Sequence, residues 1–156
     1  MTQTQVSTVA ETIKNIETHG KTVANNAPKT FTDFPVGQAS AQGDVYIIRI
    51  KNMPKSAKPR NVPSGQVADG NSPGARHCLV KNDAYNAEAR EMIKLISEAT
   101  GGKVTITRES CIGPVFNGTD TLTHPEHGHQ TFPEGVYAVV FQRSLDSEQR
   151  EERVRD

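Results

Sequence analysis

The chain has 156 residues, 34% of them apolar and 5% aromatic with no Trp, which suits one domain that folds without metal or disulfide and leaves a substantial part of the chain outside its core. Eighteen basic and eighteen acidic residues cancel, so no global field steers the protein onto nucleic acid or an anionic membrane. The longest apolar run, around Val136 to Phe141, is far short of the roughly 18 to 20 residues that span a bilayer, and the Thr- and Gln-rich start carries no secretory pattern.

Residues 1–42 are rich in Thr, Asn, Gln, Ala and Ser and read as a polar N-terminal arm. Within it Val6, Val9, Ile13 and Ile16 recur at helical spacing and Gly20 stands where a helix stops, which predicts a short amphipathic helix whose stripe is too narrow to be buried locally. Phe31, Phe34, Pro35 and Val36 form a second apolar point before a turn at Gly43-Asp44.

A β-rich domain is expected over 43–145. It opens with Val45-Tyr46-Ile47-Ile48-Arg49-Ile50, a strand covered on both faces in its middle. Four prolines and three glycines between Asn52 and Gly74 indicate a long surface excursion, and His77-Cys78-Leu79-Val80 is a short strand. The clearest helix is predicted over 84–100, with Tyr85, Ala89, Met92, Ile96 and Ala99 on its core face, Asp83 as N-cap and Gly101 as C′ residue. Val104, Ile106 and Cys111-Ile112 have strand character, and Asn117-Gly118 signals a hairpin between Pro114–Phe116 and Thr119–Thr123. The strand over 135–142 is the strongest in the chain, and 146–156 is a charged tail. The fold class that follows is mainly β, a compact sandwich or barrel, with one inserted helix and an extended N-terminal arm.

Chemistry is concentrated in His124-Pro125-Glu126-His127-Gly128-His129, which holds three of the five histidines. Imidazole and carboxylate groups suit zinc, iron or nickel, and His77 offers a fourth ligand if its strand folds beside this loop. Pro125 and Gly128 oppose the rigid helix that an HExxH site needs, so a polar turn between strands is the simpler reading. Cys78 and Cys111 form neither a CxxC pair nor a disulfide framework and read as buried, inert thiols of a reduced, intracellular protein. Ser110 lacks a GxSxG elbow, Cys111 lacks a marked base, and the glycine stretches match no phosphate-binding fingerprint. Arg49, Lys51, Lys55, Lys58 and Arg60 gather near one loop without interleaved aromatics, which reads as a solvated basic loop. No catalytic residue and no cofactor is assigned.

Three separated segments resemble a family of uncharacterised proteins of bacteria and their phages. They are Gln42-Gly43-Asp44-Val45; then Leu122-Thr123-His124-Pro125-Glu126-His127 followed by Phe132-Pro133-Glu134-Gly135-Val136-Tyr137; and Gln142-Arg143 with the charged close to Asp156. The chain departs from that family at Gly74-Ala75-Arg76-His77, where relatives tend to show GHxH, and in the 84–100 helix, which looks like an insertion. The resemblance implies a compact β-fold and a phage or bacterial setting, without an assigned activity. The expected function is a non-enzymatic virion protein that decorates or cements a capsid shell through its arm and oligomerises through its β-domain. Its expected partners are the major capsid protein and copies of itself, with no nucleic acid or membrane, and its expected location is the virion after synthesis in the bacterial cytoplasm. The rival is a cytoplasmic, cupin-like metal protein or enzyme using His77, His124, His127 and His129. A ligand-binding or host-interaction module is a third possibility.

Overall fold

The computed structural model describes residues 27–72 and 74–142. Among these the strands are, in chain order, β1 (Lys29–Thr30), β2 (Ala39–Gln42), β3 (Val45–Ile50), β4 (Lys58–Pro59), β5 (Cys78–Leu79), β6 (Ala84–Asn86), β7 (Ile112–Asn117), β8 (Thr121–Thr123), β9 (Gln130–Thr131) and β10 (Val136–Phe141), with helix α1 (Ala89–Ala99) between β6 and β7. A six-stranded antiparallel sheet has the order β2-β3-β10-β7-β6-β4, and a four-stranded sheet has the order β1-β9-β8-β5, antiparallel except for the parallel β1–β9 pair. Of the two architectures expected, this is the sandwich.

Side-chain alternation explains why the central strands read as unbroken apolar runs. Val45 and Ile47 of β3, with Tyr137, Val139 and Phe141 of β10, face a core shared with Leu79 of β5 and Leu122 of β8 on the other sheet. Tyr46, Ile48 and Ile50, with Ala138 and Val140, point the opposite way onto Met92 and Ile96 of α1. Both faces of the six-stranded sheet are therefore covered. Five aromatic rings centre the inter-sheet core, with Phe34 standing 5.5 Å from both Phe132 and Tyr137 and Phe116 stacked 5.4 Å from Tyr137. Val104 and Ile106 enter the helix-side core from an irregular stretch rather than from the strand expected there.

The helix is shorter than its periodicity implies. Ala84 and Tyr85 pair with Phe116 and Val115 as strand β6, and α1 begins only after Glu88, whose side chain makes no capping bond. Sheet pairing thus overrides a helical pattern at its start. Loop residues secure that end instead: the Lys55 and Ser56 N–H groups donate to the Glu91 carboxylate, and Ser56 Oγ accepts from the Glu88 N–H. At the other end the Gly101 N–H donates to the Glu98 carbonyl at φ +67°, the C′ role expected of it.

Asn117-Gly118 does not close a hairpin. β7 belongs to the six-stranded sheet and β8 to the four-stranded one, so the chain crosses between layers there. The crossing requires glycine because a Cβ at residue 118 would lie 1.9 Å from the Pro133 carbonyl oxygen. Buried Asp120 then ties the neighbouring turn, accepting the N–H groups of Lys81, Asn82 and Thr121.

The segment expected to be an arm is divided. Its first 26 residues, with the predicted Val6 to Ile16 helix, lie outside the described residues, as does the 146–156 tail. From Lys29 onward the chain belongs to the fold: β1 lies along β9, β2 lies along β3, and Phe34 is 1% exposed between the sheets. The domain therefore starts near residue 29 rather than 43, because Phe31 and Phe34 complete the aromatic core. The basic loop is also not wholly solvated: Arg49 donates to the Phe34 carbonyl and Arg60 to the Gln66 carbonyl. Among the described residues no helix is long and apolar enough to cross a membrane.

Candidate functional site

The histidine loop is held by a polar seam where β2 meets the four-stranded sheet. Gln42, 2% exposed, donates through Nε2 to the Leu122 and Gly128 carbonyls at 2.8 and 2.9 Å, leaving Oε1 to face His77. Gln130 makes the parallel link, accepting from Ser40 Oγ and donating to the Ala41 carbonyl. Each buried amide is thus satisfied across the seam.

His77 is 1% exposed, with Nδ1 at 2.7 Å from Gln42 Oε1 and Nε2 at 3.1 Å from Asp44 Oδ1. Because the Gln42 nitrogen is committed to two carbonyls, the His77 Nδ1–H is the donor in the first of these bonds. His124 packs its ring 4.4 Å from that of His77, and His127 packs 4.5 Å from His124. His124 Nδ1 accepts the backbone N–H groups of Glu126 and His127 at 2.9 and 3.2 Å, which closes the turn that Pro125 and Gly128 suggested. That bonding fixes the tautomer. With Nδ1 an acceptor, the neutral ring carries its proton on Nε2.

Burial, together with His77, His127 and Arg76 nearby and against only Glu126, lowers the His124 pKa from 6.5 to about 4. Between those two values an unfolded chain takes up a proton that the folded ring refuses. Stability therefore falls as pH drops from about 6.5 towards 4 and levels off below, by up to about 3 kcal/mol for this group. His124→Asn retains a side-chain acceptor for the turn and should remove that part of the slope, measured as urea midpoints between pH 7 and 4.5.

The structure brings together His77, His124 and His127 of the four histidines singled out as ligands; His129 is exposed and does not line the pocket they form. Both nitrogens of His77 and Nδ1 of His124 are already engaged, and a metal at His124 Nε2 would need the proton moved to a nitrogen that faces two N–H groups. Among the described residues no group of three or more His, Cys, Asp or Glu side chains is arranged to hold a metal ion. His127 is exposed, its ring lying over Gly43, where a Cβ would come within 2.9 Å of it. Its removal leaves both turn hydrogen bonds in place. His127→Ala should accordingly change stability by no more than about 1 kcal/mol in chemical denaturation, whereas a loss of several kcal/mol with metal in the wild-type protein would restore the metal site.

Beside the three rings lies a cavity of about 450 Å³, lined also by Asp44, Asn71, Ser72, Arg76 and Glu126. Arg76 pairs with Glu126 at 3.0 Å across its exposed rim. Ala75 lines it as well. Gln42 and Asp44 are the participants that spacing arguments missed; their only signal was the Gln42-Gly43-Asp44-Val45 segment. Cys78 is half-buried and Cys111 fully buried, and burial raises the Cys78 thiol pKa.

No curated protein and no solved structure matches the chain. A family model described as a domain of unknown function, DUF8820, matches residues 41–142. That span runs from the seam on β2 through the histidine loop to the end of β10. It contains every residue of the pocket, and by this match the chain belongs to the DUF8820 family.

Proposed function

We propose that this chain is a non-enzymatic attachment protein of a virion, one that decorates or cements a phage capsid shell through the segment ahead of residue 27 and associates with copies of itself through the β-domain. The observation that carries this reading is the root of that segment. Residues 29–42 contribute a strand to each sheet and Phe34 to the core between them. A tether transmits load only if its root resists peeling, and a root woven into both layers can come loose only as the domain unfolds.

The hydrogen bonding around the histidine loop supports a scaffolding role for it, since Gln42 of β2 bonds the Leu122 and Gly128 carbonyls and His77. The phage setting rests on the segments quoted from 42–45, 122–137 and 142 onward, and the partners would be the major capsid protein and neighbouring copies of this chain. Mass spectrometry of purified particles from a phage encoding the protein tests it. The expected result is peptides of this chain at a fixed ratio to the major capsid protein; their absence from particles, with the protein present in the lysate, would refute the proposal.

A further inference from the structure

The cavity beside the histidine loop has features that a scaffold does not need. Its volume of about 450 Å³ falls within the roughly 300–1,000 Å³ usual for small-ligand sites. Its walls are polar: apart from Ala75 and three glycines, every lining side chain can donate or accept a hydrogen bond. An apolar ligand would leave those groups without partners.

One wall group is a donor fixed in place and open to the cavity. His124 is 8% exposed, and its Nδ1 receives two backbone N–H groups, so Nε2 carries the hydrogen. No described residue accepts from that Nε2–H, although the side chain lines the cavity. Among the described residues the buried side-chain atoms without a partner are Arg49 Nε and Asn82 Oδ1, so solvent reaches the His124 Nε2–H and a ligand acceptor would take the place of water there.

The charges around it are balanced against one another. Arg76 is held by Glu126 at 3.0 Å, and Asp44 faces His77 at 3.1 Å. A free anion or cation would have to compete with these pairs. A neutral hydroxyl would not: it can accept from His124 while donating to a carboxylate of the rim, and Asn71 and Ser72 offer further groups that both donate and accept.

We propose that this cavity binds a neutral, hydroxyl-rich ligand of the saccharide class, with the His124 Nε2–H donating to one sugar hydroxyl and Asn71, Ser72 and Glu126 engaging its neighbours. The site lies wholly within the β-domain, so it stands apart from attachment through the segment ahead of residue 27. A chain lacking residues 1–26 should bind the sugar as well as the full chain does.

Nuclear magnetic resonance of the full chain, labelled with nitrogen-15 in histidine, tests this with glucose, galactose, mannose, N-acetylglucosamine and their common disaccharides as probes. The expected result is a saturable shift of the His124 ring signals by at least one sugar, with a dissociation constant in the millimolar range. Removing a hydrogen bond to a ligand hydroxyl should weaken binding by about tenfold. That loss, read on the His77 and His127 ring signals, is expected for His124→Asn, whose amide oxygen keeps the turn but whose shorter side chain places no donor where Nε2–H stands, and for the surface pair Asn71→Ala with Ser72→Ala, which leaves the histidines untouched. The proposal fails if no sugar perturbs His124, if sodium phosphate or acetate does so instead, or if folded forms of these variants bind the sugar unchanged.

Discussion

Tyr137→Asp should yield a chain that does not fold. Tyr137 is fully buried at the centre of the aromatic cluster, within 5.5 Å of the Phe34, Phe116 and Phe132 rings, and its hydroxyl donates to the Pro133 carbonyl. Aspartate there removes the ring contacts, leaves a cavity and places an unpaired charge between two sheets. The cavity alone costs about 3–5 kcal/mol and the buried charge several more, which together match the roughly 5–15 kcal/mol that holds a typical domain. Circular dichroism and gel filtration should find a disordered or aggregated product. Val136→Asp should be milder, although both residues stand in the same apolar strand. Val136 is only half-buried at the start of β10, so an aspartate carboxylate there can turn towards water.

The second large effect separates two truncations. Deleting residues 1–41 removes β1, nearly all of β2, Phe31 and Phe34, and with them the Ser40 bond to Gln130. Loss of Phe34 by itself is worth about 3–5 kcal/mol, and the missing edge strand exposes the seam that buries Gln42 and His77. This truncation is expected not to fold. Deleting residues 1–26 spares all of these contacts and should leave the domain folded, with a cooperative thermal transition. A folded, cooperative protein lacking 1–41 would show that the N-terminal strands are dispensable and that the root has no structural hold.

The contrast between those truncations marks where sequence reasoning reached and where it stopped. Nearly unbroken apolar runs made β3 and β10 legible, because both faces of each are covered and Arg49 is the one charged residue in the two strands. The apolar point at Phe31 and Phe34 was also visible, but its burial depends on Phe132 and Tyr137, far along the chain, and no local pattern reports that. The same holds for Asn117-Gly118: a turn signal is local, whereas the sheet that receives the next strand is a tertiary choice. Ala84 and Tyr85 continue a helical stripe yet pair with β7, since their backbone completes the sheet beyond it.

The candidate site was legible in part for a similar reason. Three histidines in one short loop announce themselves by composition, and Pro125 with Gly128 correctly indicated a turn. What the loop does is decided by Gln42, Asp44 and His77, which arrive from β2, the following turn and the residue before β5. Hydrogen bonding over such separations commits particular nitrogens, and only the geometry reveals which.

Attachment through the segment ahead of residue 27 is the central claim, and one binding measurement addresses it directly. Particles purified without this protein are mixed with the full chain or with the chain lacking residues 1–26, and the bound fraction is measured after sedimentation. Saturable binding is expected of the full chain and none of the truncated one, with circular dichroism showing the truncated domain still folded. Equal occupancy of the particles by the folded truncated domain would contradict it.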